Sequence, residues 1–165
     1  EKAASALFAM VERFKVGEIP AEQVPSISGE VKPLIEWSSI LSSGHQEMDN
    51  QRRKLIEIAN RLHEAIVVNA GRAVCGKLLD ELIDYTVNHF SFEERLMTTH
   101  HYDQKDTHAA AHQRLIEDIS RFKKRYQSGE AVTVELMVFL RDWLIKHILK
   151  VDRALGRSLA ARGVS

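Results

Sequence analysis

The sequence predicts an all-α protein: an up-down-up-down four-helix bundle preceded by an arm and a short extra helix. Three observations lead there. All three prolines, Pro20, Pro25 and Pro33, fall before residue 34, so no proline ring interrupts a helix from Leu34 to the end. Ala, Leu, Glu, Lys and Arg dominate that stretch, and the period-two alternation of strands is absent from it. Short turn signals at Asn69–Gly71 and Ser128–Glu130 separate long helical stretches, and short loops between long helices place neighbours antiparallel.

Taken in order, Ala3 to Phe14 carries Leu7, Met10, Val11 and Phe14 at helical spacing and reads as a short amphipathic helix. Residues 15–36 hold the prolines together with Gly17 and Gly29 and read as a linker. The first long helix is expected from Ser43, whose pairing with Gln46 has the capping-box pattern, to about Val68. Its inner face would be Leu55, Ile56, Ala59, Leu62 and Ile66. The second is expected over Ala73 to Thr99, with Leu78, Leu82, Tyr85 and His89 inward. A break at His101 to Asp106 leads to a third helix over Thr107 to Gln127, and a fourth covers Thr133 to Leu159. The expected organisation is thus a helix and linker over 1–36 and a metal-binding domain over 37–165.

The 165 residues suit one domain with a modest extension. Lys plus Arg and Asp plus Glu both count 23, so no excess positive charge exists to neutralise nucleic acid or to hold a membrane surface. No apolar run approaches the roughly 18 residues of a membrane span. Cys75 is the only cysteine, which rules out an intrachain disulfide and suits a reducing, cytoplasmic setting.

The chemistry lies in the histidines. Most of the eight fall inside predicted helices rather than loops. His89 and Glu93 are four residues apart and so share a helical face, and His108 and His112 repeat the spacing. Two groups one turn apart can chelate a single ion. His147 adds a third imidazole and Asp152 a carboxylate from the last helix. Five residues along an ideal helix rotate by about 140°, so His147 and Asp152 share a face only if the turn between them is widened. Imidazole and carboxylate without thiolate suit iron, manganese or zinc, and Glu93 and Asp152 are each able to bridge two ions.

These residues resemble the motifs of the hemerythrin family. His89-Phe90-Ser91-Phe92-Glu93-Glu94 is similar to that family's HFxxEE, His108 to His112 to its HxxxH, and Trp143 to Asp152 to its WLxxHIxxxD. Trp37-Ser38 and Met48-Asp49-Asn50-Gln51 resemble its arm and first-helix start, so the likeness runs from about Trp37 to Leu155. The resemblance implies a non-enzymatic bundle with one iron on His108, His112 and His147. Glu93 and Asp152 would bridge to a second iron, held also by His89, where dioxygen or another small diatomic ligand binds. Leu55, Ile56, Trp143 and Leu144 would line the apolar pocket there, with Arg52 at its edge.

The sequence departs from the family at one position. The family's DxQH is here Asp49-Asn50-Gln51-Arg52, and a protonated guanidinium cannot coordinate a metal. Four outcomes are open at this point: Arg52 pairs with Glu93 or Asp152 in place of the cation; the second site fills but stays open; His45 or Glu47 swings in as a substitute; or Arg52 snorkels to solvent. His63 reads as structural, and His100 and His101 as surface residues. Finally, Ser5 to Val16 resembles the tail of methyl-accepting chemotaxis proteins. That likeness implies an upstream chemotaxis signalling domain as partner and a sensor of oxygen, redox state or a related small ligand, rather than an oxygen carrier or a metal store.

Overall fold

A computed structural model of the chain describes residues 31–164. The expected Ala3–Phe14 helix and the linker up to residue 30 lie outside the described residues. Four long helices follow a short 3-10 turn at Ser39–Leu41. They are α1 (Gln46–Val67), α2 (Arg72–Thr99), α3 (Lys105–Gln127) and α4 (Thr133–His147). Helix α4 runs through a π turn at Ile148–Asp152 into α5 (Arg153–Ala160).

Side-chain pairs fix the topology. Arg61 with Glu81 and Gln51 with His89 set α1 against α2 in opposite directions. Lys123 with Asp80 and His112 with Glu94 do the same for α3 on α2, and Arg125 with Glu135 ties the start of α4 to the end of α3 across their short turn. The arrangement is the expected up-down-up-down bundle.

The main core contains Leu55, Ile58, Leu62, Leu79, Leu82, Leu115, Ile119, Leu136 and Leu140, each buried. A smaller apolar cluster, Met48, Met97, Leu155 and Leu159, closes the other end. Between the two lies a polar layer. Along α1 it is Arg52, between Met48 and Leu55; along α2 it is Glu93, between Phe90 and Met97. Along the fourth helix it is His147 and Asp152, between Leu144 and Leu155. Apolar packing on both sides therefore keeps water from these groups.

Two details differ from expectation. His45, not Ser43, caps α1: its Nδ1 accepts from the Met48 amide at 3.3 Å, while the Ser43 hydroxyl accepts from the His45 amide and donates to Asp49. Gly44, at a φ of 86°, turns the chain between them, so the helix starts at Gln46. On α2 the innermost ridge is Leu79, Leu82 and Thr86, with Leu78 and Tyr85 only half-buried beside it. Ile66 is likewise half-buried on α1.

Candidate metal centre

Three elements deliver the five converging side chains. Glu93 comes from α2, His108 and His112 from α3, and His147 and Asp152 from either end of the π turn. The widened turn that the five-residue spacing demanded is present at Ile148–Asp152. One donor atom from each of these five residues lies within 4.8 Å of all the others. All five side chains are buried, with Glu93 completely so.

Each carboxylate is shared between two sides. Glu93 Oε2 lies 3.1 Å from His112 Nε2 and 3.4 Å from His108 Nε2, while its Oε1 faces His89 Nε2 at 3.2 Å. Asp152 Oδ1 lies 3.0 Å from His147 Nε2 and 3.2 Å from His108 Nε2. Its Oδ2 instead faces Arg52 Nη1 at 3.5 Å. One oxygen of each carboxylate thus belongs to a three-histidine side, and the other to a side shared by His89 and Arg52. His89, expected among the ligands, stands outside the five and of them meets the outer Glu93 oxygen.

The imidazoles are held in orientation. His112 Nδ1 meets Glu94 Oε1 at 3.1 Å, and His89 Nδ1 meets Gln51 Oε1 at 3.1 Å. Such a bond on Nδ1 leaves Nε2 free to face inward. Phe90 stacks on His112 with centroids 3.7 Å apart, and Trp143 on His147 at 4.2 Å. Leu55, Ile56 and Leu144 are buried in the main core, and Trp143 is half-buried against it.

Arg52 is the least expected member: its residue is 0% exposed. Snorkelling to solvent is thereby excluded. Its Nε donates to the Met48 carbonyl at 3.3 Å, its Nη2 bonds Asp49, and its Nη1 faces Asp152. Asp49 in turn accepts from the Ser42 hydroxyl, from the Ser43 amide at 2.9 Å and from the Ser43 hydroxyl at 2.8 Å. Burial alone would push the Asp49 carboxyl up, but these donors and the Arg52 charge outweigh it and hold its pKa below the usual value. Neither suggested substitute reaches the site. His45 is occupied as the α1 cap, and Glu47 is exposed and accepts from Gln51 Nε2 at 2.7 Å. His63 is half-buried, His100 is half-buried at the end of α2, and His101 is exposed.

Sequence reasoning gave Asp49, Gln51, Glu94 and Phe90 no part in the site. The three-residue spacing of Asp49 and Arg52 was a visible sign of the first. Gln51, Phe90 and Glu94 stood inside the matched motifs, but their contacts run across helices, which spacing along one segment does not show.

The donor chemistry fits a cation. Both Glu93 oxygens, Asp152 Oδ1 and the Nε2 atoms of His108, His112 and His147 are buried without a hydrogen-bond partner. Orphaned buried groups of this kind are costly, and an ion on the three-histidine side would satisfy five of the six together, all but Glu93 Oε1. In the metal-free protein the histidines pair with the ionised carboxylates instead. Burial pushes His108 down, yet the Asp152 and Glu93 carboxylates beside it prevail and raise it to about 9.

An all-α bundle with a buried layer of histidines and carboxylates at its centre defines a metal-binding helical protein of the histidine–carboxylate class. Residues 40–158 match the Hemerythrin HHE cation binding domain, and the chain belongs to the hemerythrin family. It is 36% identical over 128 residues to a bacteriohemerythrin of Stenotrophomonas maltophilia, covering 78% of this chain and 83% of that one. A bacteriohemerythrin of Methylococcus capsulatus is 38% identical over 114 residues, covering 68% and 86%. A crystal structure of wild-type hemerythrin superposes with a TM-score of 0.72 at 34% identity, covering 77% of this chain and 98% of that one.

Proposed function

We propose that this domain, spanning 37–165, is a sensor whose non-haem iron centre responds to oxygen, redox state or a related small ligand such as nitric oxide. One ion is held by His108, His112, His147, Glu93 and Asp152, and Arg52 stands where the family places a ligand of the second ion. The observation that carries this reading is the fully buried Arg52 guanidinium, paired with Asp49 and facing the outer oxygen of Asp152. A second dication beside that fixed charge would be repelled at short range in a poorly screened interior. His89 then keeps its contact to Glu93 as a hydrogen-bonding neighbour rather than as a ligand.

Iron in the five-residue cluster supplies a one-electron couple and the capacity to take a small diatomic ligand. The protein's own part is to exclude water, which it does with the apolar layers on either side and with Leu55, Ile56, Leu144 and Trp143. The donor set also accommodates zinc or manganese. The sensor reading is favoured over oxygen carriage or metal storage by the same Arg52. In the family scheme the two ions each give one electron to dioxygen, and a single-ion centre has only one to give.

An ion-pair contact at 3.5 Å links Asp152 to Arg52, and hydrogen bonds continue from Arg52 through Asp49 to Ser42 and Ser43 in the arm. Together they offer a route for a change at the centre to reach the chain ahead of α1. The upstream partner in this reading is a cytoplasmic chemotaxis signalling domain, on the likeness of Ser5 to Val16. Among the described residues, no helix is long and apolar enough to cross a membrane.

Metal analysis after iron-replete expression tests the proposal. About one ion per chain is expected for the wild-type protein and about two for Arg52→His. Two ions in the wild-type protein would refute the role given to Arg52, and none would refute the metal centre. Ligand-dependent protection of the amides at 39–43, followed by hydrogen exchange in air and under argon, would separate a sensor from a passive store.

A further inference from the structure

The geometry points to Arg52 as the residue that sets the valence preference of the centre, its fixed positive charge biasing a bound iron toward the ferrous state. The inference rests on the single-ion reading above and adds what Arg52 does to that ion. Three neutral imidazoles and two carboxylates bring a charge of −2, so a ferrous ion leaves the cluster neutral and a ferric ion leaves it positive. A cation nearby disfavours the second state more than the first.

Arg52 is placed to act in this way. Its side chain is 1% exposed, so bulk water and salt screen it little. Its Nη1 end faces Asp152 Oδ2 at 3.5 Å, and that nitrogen has no hydrogen-bond partner of its own. The compensating anion, Asp49, bonds the other terminal nitrogen, Nη2, and spreads its charge over three further donors from Ser42 and Ser43. The pair is therefore an oriented dipole with its positive end toward the centre. A carboxylate that serves both an ion and a guanidinium is also a weaker donor to the ion, and a weaker anionic donor disfavours the ferric state again.

The relevant equilibrium is the one-electron couple, ferrous ion to ferric ion plus an electron passed to a soluble mediator. Redox titration is done on samples that carry one iron per chain, for the wild-type protein, Arg52→Gln, Arg52→Lys and Asp49→Asn. Arg52→Gln is expected to raise the ferric-to-ferrous ratio at a given potential about tenfold or more, a downward shift of about 59 mV for a one-electron couple. Arg52→Lys, which keeps the charge, should lie closer to the wild-type value than Arg52→Gln does. Asp49→Asn removes the compensating anion and should shift the potential upward.

A purely structural role for Arg52 would move Arg52→Gln and Asp49→Asn in the same direction, and that result overturns the inference. So do equal potentials for Arg52→Gln and the wild-type protein. Where Arg52→Gln fails to fold or takes a second ion, the sign of the Asp49→Asn shift decides alone. Two ions per chain in the wild-type protein would instead strike at the single-ion reading, so the two failures are told apart by stoichiometry.

Discussion

Replacing Arg52 with methionine isolates what the buried guanidinium contributes to the metal-free fold. Methionine roughly conserves the volume of the side chain, so the cavity contribution is small and the effect is electrostatic. The substitution removes the charge facing Asp152 and one of the four donors to Asp49, together with the bond to the Met48 carbonyl. Breaking a buried ion pair by deleting one partner costs about 3–5 kcal/mol, because the other charge stays behind unpaired. Asp152 keeps its contacts to His108 and His147, and Asp49 keeps Ser42 and Ser43, which places the expected loss near the lower end, about 3 kcal/mol. For a domain of this size that corresponds to a fall in Tm of roughly 10 °C. The assay is urea unfolding of chelator-treated protein at neutral pH, followed by circular dichroism. Adding Asp49→Asn to Arg52→Met should recover about 1 kcal/mol or more, since the unpaired carboxylate is then gone. A loss below about 1 kcal/mol in Arg52→Met, or strict additivity of the two changes, would refute the claim that Arg52 neutralises buried carboxylates.

Two further outcomes follow from the same geometry. A Cβ at Gly156 would overlap the Ser43 carbonyl, so Gly156→Ala must push α5 away from the turn that holds Asp49; the expected cost is about 1–3 kcal/mol in thermal or urea unfolding, and an unchanged midpoint would count against that packing. His108 has its pKa raised to about 9 in the metal-free fold, above the ordinary 6.5. Its contribution to stability is therefore full below about pH 6.5 and is lost as pH rises through about 9. Urea midpoints of the chelator-treated protein should fall over that window, and a His108→Gln variant should lose most of the dependence.

How much of this was legible in the sequence differs from residue to residue. His108 and His112 were readable because helical spacing alone puts them on one face, and the short turns at Asn69–Gly71 and Ser128–Glu130 fixed the bundle. The five-residue gap from His147 to Asp152 showed that a straight helix would fail and that a widened turn was needed. What the sequence could not show was the fate of Arg52. Pairing with Asp152, an open second site, a substitute ligand and a solvent-facing guanidinium all satisfy the same local pattern. Only burial from every side separates them, and burial is a property of the assembled bundle. The inner ridge of α2 slipped by one position, from Leu78 to Leu79, for a related reason. Adjacent residues on a helix are about 100° apart, so two apolar neighbours flank the core and packing decides which goes deeper.

The π turn at Ile148–Asp152 reaches beyond the ligand it supplies. Its extra residue rotates everything downstream by about 100° relative to a straight continuation. In that rotated frame Arg153 donates to the Ile40 carbonyl at 2.5 Å, and Gly156 lies against Ser43. The inserted residue thus sets two registers at once, one inside the bundle and one where the end of the chain docks on the arm. If the turn closed to an ordinary α turn with all its residues kept, Asp152 would leave the cluster and α5 would lose its seat on the arm in the same stroke. Mutational drift therefore cannot tune the centre and its connection to the arm separately through this turn.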